Sequence, residues 1–118
     1  MYRLSKDADL SFLHNLELLQ ICVGNNELIL NLDKGARITI LSECLTGILG
    51  KPLQRHSEMT SAAVAIFPLL HEPIVQATAT ETGGLLLVFR SNYCIEILDT
   101  STQYESFWIK YGDTEIIV

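Results

Sequence analysis

Gly84-Leu85-Leu86-Leu87-Val88-Phe89, a turn at Ser91-Asn92, then Ile95-Glu96-Ile97 reads as two short strands, and the chain has written the same pair once before. Leu28, Leu30, Leu32, Ile38 and Ile40 fall opposite Leu85, Leu87, Phe89, Ile95 and Ile97 at a constant spacing of about 57 residues. An apolar residue at every second position puts each set on one face of a pleated strand. Upstream, Gln20 and Gln76 fit the same plan once the second copy carries one extra residue near Thr82-Gly83. The skeleton is therefore a duplicated antiparallel meander.

Working outward, the first copy divides into strands at 17–23, 27–33 and 36–42, with Gly24-Asn25-Asn26 and Asp33-Lys34-Gly35 as turns. Gly and Asn accept the positive φ that tight hairpins demand. The second copy gives strands at 74–81, 84–90 and 93–98, and a last hairpin, 103–111 and 114–118, turns at Gly112-Asp113. Before the first meander, Asp9 to Asn15 has the pattern of one helical turn capped by Asp9.

Residues 43–57 show no period and read as a crossover loop. Ser57 stands as N-cap of a helix running to His71, because Met59, Ala63, Ile66 and Leu70 recur at helical spacing. Pro68 lies inside it, where its ring meets the carbonyl four residues back, so the last turn should kink or tighten. The expected architecture is a single α+β domain over 1–118. In it a duplicated meander of seven or eight strands packs around one main α-helix, with copies 19–41 and 75–98 joined by loop 43–57 and helix 57–71.

Composition narrows function more than it defines it. Fourteen acidic residues against eight basic ones leave a net charge of −6. The basic residues are scattered, which disfavours nucleic acid and suits a basic protein partner. The longest uncharged stretch, Met59 to Leu70, is too short to span a bilayer, and the N-terminus lacks the apolar core of a signal peptide. Cys22, Cys44 and Cys94 are odd in number and lack metal or disulfide spacing, so a reducing, cytoplasmic setting with buried free thiols is expected.

No nucleophile elbow, phosphate loop or zinc motif occurs, and the expectation is a non-enzymatic protein without cofactor or metal. Of His14, His56 and His71, only His56 sits where a base could serve a loop site. The densest aromatic run is Tyr104-Glu105-Ser106-Phe107-Trp108-Ile109, with Tyr111 beyond, and carboxylates cluster around it. Within 94–118, Glu96, Asp99, Glu105, Asp113 and Glu115 face one base, Lys110. Glu96, Asp99, Glu105, Trp108, Tyr111, Asp113 and Glu115 are accordingly the expected partner-binding residues, aromatic anchors inside an acidic rim. Leu86 and Val88 make one strand apolar on its second face. Either the chain covers that face or a second copy does, and the second case makes the protein a structural or regulatory homo-oligomer.

The strand Gly84-Leu85-Leu86-Leu87-Val88-Phe89, with Ile95-x-Ile97 and Tyr104-Glu105-Ser106 after it, resembles a family of small bacterial domains of unknown function. That family carries a Gly-x-Leu-x-Leu-x-Phe strand, an Asp-Gly turn and a closing Tyr-Glu-(Ala/Ser)-Trp strand, and the likeness would run from about residue 16 to 118. This chain departs from it in three places. Gly84 directly precedes Leu85, Ser91-Asn92 replaces Asp-Gly, and Phe107 takes the tryptophan slot with Trp108 one place on. The family brings no catalytic residues. By analogy of size, acidity and composition, the resemblance implies an immunity protein that neutralises a basic toxin by occluding it.

Overall fold

The computed structural model describes residues 3–118. Ten strands and one short helix follow in the order β1 (Leu18–Val23), β2 (Leu28–Leu32), β3 (Arg37–Ile40), β4 (Cys44–Ile48), β5 (Gln54–His56), α1 (Met59–Ile66), β6 (Ile74–Ala79), β7 (Leu85–Phe89), β8 (Tyr93–Ile97), β9 (Phe107–Tyr111) and β10 (Thr114–Ile117). The fold is α+β, with two five-stranded antiparallel sheets ordered β1-β2-β3-β9-β10 and β6-β7-β8-β4-β5.

Written that way, the two sheets have one plan. Leu28 pairs with Ile40 in the first, and Leu85 pairs with Ile97 in the second. Each first strand carries a bulge at the same step, between Leu18 and Gln20 and between Ile74 and Gln76. Where the halves meet, the hydrogen bonds come in matched pairs. The Asn15 N–H donates to Ile74 O (2.7 Å) and the His71 N–H to Leu18 O (2.6 Å). Asn15 and His71 both adopt left-handed backbone there, φ +69° and +71°. The halves are thus related by an internal pseudo-two-fold.

Each half also lends its hairpin to the other. After β3 the chain crosses sheets, so β4 pairs with β8; after β8 it crosses back, so β9 pairs with β3. Hairpins β4-β5 and β9-β10 are therefore exchanged. The expectation had two strands fewer here, because Gly47 and Gly50-Lys51-Pro52 mask the alternation of the buried residues Cys44 and Thr46. Gly47 has φ +151°, and a Cβ there would lie 3.0 Å from Leu53 Cδ2, so the β4–β5 connection folds back on the outer face of the second sheet.

The helix is shorter than the periodicity predicts and is not the hub of the molecule. It begins at Met59, after Glu58 and not Ser57, and gives way at Phe67–Leu69 to a 3₁₀ turn holding Pro68, which has no N–H to continue an α-helical ladder. Ala62 and Ile66 are buried while Val64 faces solvent. The centre is filled instead by the inward faces of both sheets: Leu28, Leu30, Ile38, Ile40, Phe107 and Ile109 from one, Leu85, Leu87, Phe89, Ile95 and Ile97 from the other. Burying each such side chain stabilises the fold by about 1.5–3 kcal/mol relative to exposure. The entry turn is Ser11–Leu13, one residue after Leu10. Asp9 Oδ1 accepts from both the Ser11 N–H and the Ser11 hydroxyl, which holds the Asp9 carboxyl below its usual range.

The second crossing, 98–106, is longer than the first, 41–43, and Asp99 organises it. Asp99 is 8% exposed; its Oδ1 accepts from the Ser106 hydroxyl (2.7 Å) and its Oδ2 from the Arg3 N–H (3.0 Å). Asp99→Ala leaves the buried Ser106 hydroxyl without its acceptor and releases the N–H of exposed Arg3, and a buried unmade bond costs far more than a bond made in water gains. Urea unfolding should show a loss of about 2–4 kcal/mol, read as a lower midpoint at unchanged slope. A change within the error of wild type would mean the crossing holds itself.

Candidate functional site

The residues expected to form one carboxylate-rimmed aromatic surface lie on separate surfaces. Trp108 is on the outer face of the first sheet, 42% exposed, across from Thr39 and Ile117. Its neighbours are of mixed sign, since Lys110 lies opposite Arg37 on one side and Glu115 on the other. Like charges directly opposite each other are unfavourable, so Glu115 and the nearby Glu27 serve to neutralise that pair. Tyr111 points to the other face, where its ring stacks on Phe12 at 5.5 Å. Glu96 stands on β8 in the second sheet, between Leu45 and Leu86. Asp99 is occupied by the crossing, Glu105 is half-buried within it, and Asp113 is exposed at the β9–β10 turn.

Of the second-face pair on β7, Val88 is buried and Leu86 half-buried, so the chain covers most of the face that a pairing copy would need. Cys94, cross-strand from Val88, is buried with it.

His56 is 4% exposed at the end of β5, with both ring nitrogens engaged. Nε2 lies 2.8 Å from Thr46 Oγ1 and Nδ1 lies 2.7 Å from Ser61 Oγ. The ring therefore links β4, β5 and the first turn of α1. A Ser–His pair is the core of many nucleophilic sites, but the group on the far nitrogen here is a hydroxyl, with no charge to stabilise an imidazolium. This geometry serves packing. His56→Ala leaves Thr46 Oγ1 buried without its partner and opens a cavity under α1. It should lower stability by about 2–4 kcal/mol in urea, read as a lower midpoint of one cooperative transition.

The thiols follow burial. Burial, reinforced by the Glu43 charge, pushes the Cys44 thiol up to about 11, and burial followed by Glu96 raises Cys94. Glu43 itself is held low by its bond from Arg55. A thiol raised on folding stabilises fully below the pKa of the unfolded chain, 9.0, and loses that contribution as pH climbs to the folded value. Stability should fall by about 2–3 kcal/mol between pH 9 and 11, and Cys44→Ala should flatten most of that slope. At pH 8 a disulfide reagent should titrate the half-buried Cys22 quickly and leave Cys44 and Cys94 for the denatured protein. Three fast thiols would contradict this.

Sequence reasoning missed an open apolar surface. A groove of about 560 Å³ runs between edge strand β1 and helix α1, lined by Leu19, Ile21, Val23, Val64, Phe67 and Pro68. Val64 is 76% exposed and Phe67 64%. The signal was present in the helix, where Val64 and Phe67 extend the apolar stripe beyond what one core face can bury. It was absorbed into the expectation of a helix enclosed by the sheets. A second, polar cleft of about 340 Å³ lies at the crossing between sheets, among Asn25, Ser42, Ser57, Thr100 and Tyr104.

Among the described residues no group of three or more His, Cys, Asp or Glu is placed to hold a metal ion, and no helix is long and apolar enough to cross a membrane. Comparison with family models, curated proteins and solved structures gives no match.

Proposed function

We propose that this chain is a non-enzymatic protein-binding module that neutralises a basic toxin domain by covering it, in the manner of an immunity protein. The observation that carries binding is the β1–α1 groove. It gathers Leu19, Val23, Val64 and Phe67 in water along one groove, and Val64 and Phe67 are more exposed than the large apolar side chains left open elsewhere, such as Ile48, Leu49, Val75 and Ile117. Contiguous exposed apolar surface of this kind, rimmed by polar residues, is the usual mark of a docking face. The net charge of −6 supports a cationic partner, because opposite net charge speeds encounter. The toxin class of that partner rests on composition and on the family likeness of the β7–β8 strands.

The test is co-purification with the product of the adjacent gene, followed by survival of cells that express it. Val64→Ser and Phe67→Ser should fold normally, since both side chains face solvent. Together they should weaken binding by more than about tenfold, or 1.4 kcal/mol, and abolish protection. An adjacent product that binds wild type and the double variant equally would remove the groove from the reading. A product that neither binds nor is neutralised would remove the immunity assignment. A dimer mass in light scattering that drops to monomer in Phe67→Ser would assign the groove to a second copy of the chain.

A further inference from the structure

The two long outer strands, β1 and β6, are pseudo-equivalent, yet their surroundings differ in one consistent direction. On β1 stand Leu19, Ile21 and Val23; at the matching places on β6 stand Val75, Ala77 and Ala79. Beside β1 lies α1, with Ala63, Val64 and Phe67. Beside β6 lies the N-terminal segment, with Asp7, Ala8 and Ser11 at the corresponding positions. The same register therefore forms here with the smaller Ala77 and Ala79, beside a mixed cleft of about 400 Å³ that Lys6 and Glu81 also line. The apolar bulk on both walls of the β1 groove is additional to what the fold requires.

The backbone of β1 is also open. At the β1–β2 turn the Gly24 N–H donates to Glu27 O (2.9 Å), and antiparallel pairs alternate, so Cys22 with Ile29 and Gln20 with Asn31 exchange the ladder bonds. Ile21 and Val23 occupy the alternate positions opposite Leu30 and Leu28, with N–H and C=O directed away from β2. Beyond Leu18, whose N–H and C=O pair with Glu72 and His71, β1 has no second strand. Of the other sheet edges, β5 is three residues long and carries Arg55 and β10 carries Glu115, while β6, uncharged like β1, presents the smaller Ala77 and Ala79. An edge strand flanked by a helix, with an apolar groove between them, is the arrangement in which an extended peptide adds to a sheet.

Charge identifies the occupant. The two segments that frame the groove, 11–29 and 57–79, contain not one Lys or Arg; Glu17 and Glu58 immediately precede β1 and α1, while Glu27 lies beside Arg37 and Lys110 and Glu72 accepts from the Ser91 N–H. A second copy of the chain would bring like charges together across this edge. A strand with basic flanks would not.

Resting on the protein-binding reading above, we propose that the β1–α1 groove takes an extended segment of the partner protein, apolar at alternate residues and flanked by Lys or Arg, which joins the first sheet as a strand beside β1. Its backbone would pair with Ile21 and Val23, and its inward side chains would fill the space between Leu19, Val64 and Phe67.

A displayed library of random twelve-residue peptides, panned on the full chain, tests this. Enriched peptides should show apolar residues at every second position between basic flanks. A synthetic copy should bring the Ile21 and Val23 amides into slow hydrogen exchange. N-methylation of its alternate amides should weaken binding by more than about tenfold on one parity and little on the other. Replacing the basic flanks with glutamate should cause a comparable loss, and Phe67→Ser should abolish binding. Enrichment of helical spacing, indifference to N-methylation, binding without basic flanks, or no enriched peptide would each overturn strand addition. If the adjacent gene product still bound wild type and not the Val64→Ser, Phe67→Ser double variant, the binding-module reading would survive that failure.

Discussion

The structure depends on two crossings that hydrogen-bond to each other. Where β3 leaves the first sheet and β8 leaves the second, the Leu41 N–H donates to Ser106 O (2.9 Å) and the Leu98 N–H to Glu43 O (3.0 Å). Each crossing thereby satisfies polar backbone groups of the other at the corner between sheets, where an unpaired amide would be costly. Asp99 and Ser106 brace the longer crossing, and the short one needs only the Ser42 hydroxyl on Leu98 O. At the opposite end the Asn15–Ile74 and His71–Leu18 bonds close the two sheets around one core.

That connectivity makes neither half complete. A three-stranded meander alone would leave β3 or β8 as a bare, apolar inner edge. In each case the missing neighbour is a hairpin from the other half, β9-β10 or β4-β5. This is the geometry of a hairpin-exchanged dimer contained in one polypeptide, with the isologous contacts of a two-fold made once each way. One core and two reciprocal exchanges leave no part able to fold by itself, so unfolding in a single cooperative step is the physical expectation.

Much of this frame was legible in the residues. Alternation located both meanders and the last hairpin, because Leu28/Leu30/Leu32 and Leu85/Leu87/Phe89 each fall together on one inward face. The exchange itself was not legible: pairing partners are chosen by long-range geometry, and β4 hid behind Gly47 and a five-residue connection. The helix was found but placed at the centre, since periodicity measures how wide an apolar stripe is and not what covers it. The expected partner-binding residues are dispersed for a related reason. Glu96, Tyr111, Trp108 and Asp99 are close in sequence, yet alternation along one strand and a crossing between sheets send them to different faces. Proximity along a β chain is a poor guide to proximity on its surface.

The duplication supplies an internal control of a kind that single-copy domains lack. Two edges made by the same plan, with the same bulge and the same register, differ in side-chain size and in what lies alongside. The shared register does not demand the difference, because β6 pairs in the same way with Ala77 and Ala79 beside a mixed polar cleft. Solubility works against it, because Val64 and Phe67 stand in water on the β1 side. Edge strands are ordinarily blunted by charge, proline or brevity. β1 has none of these within its six residues. The nearest free carboxylates, Glu17 and Glu58, stand just before β1 and α1, where they leave the backbone open and disfavour a second copy. An edge that is apolar, unpaired and acid-flanked resists self-association while remaining open to a strand of opposite charge, and that combination separates a docking edge from an aggregation-prone one.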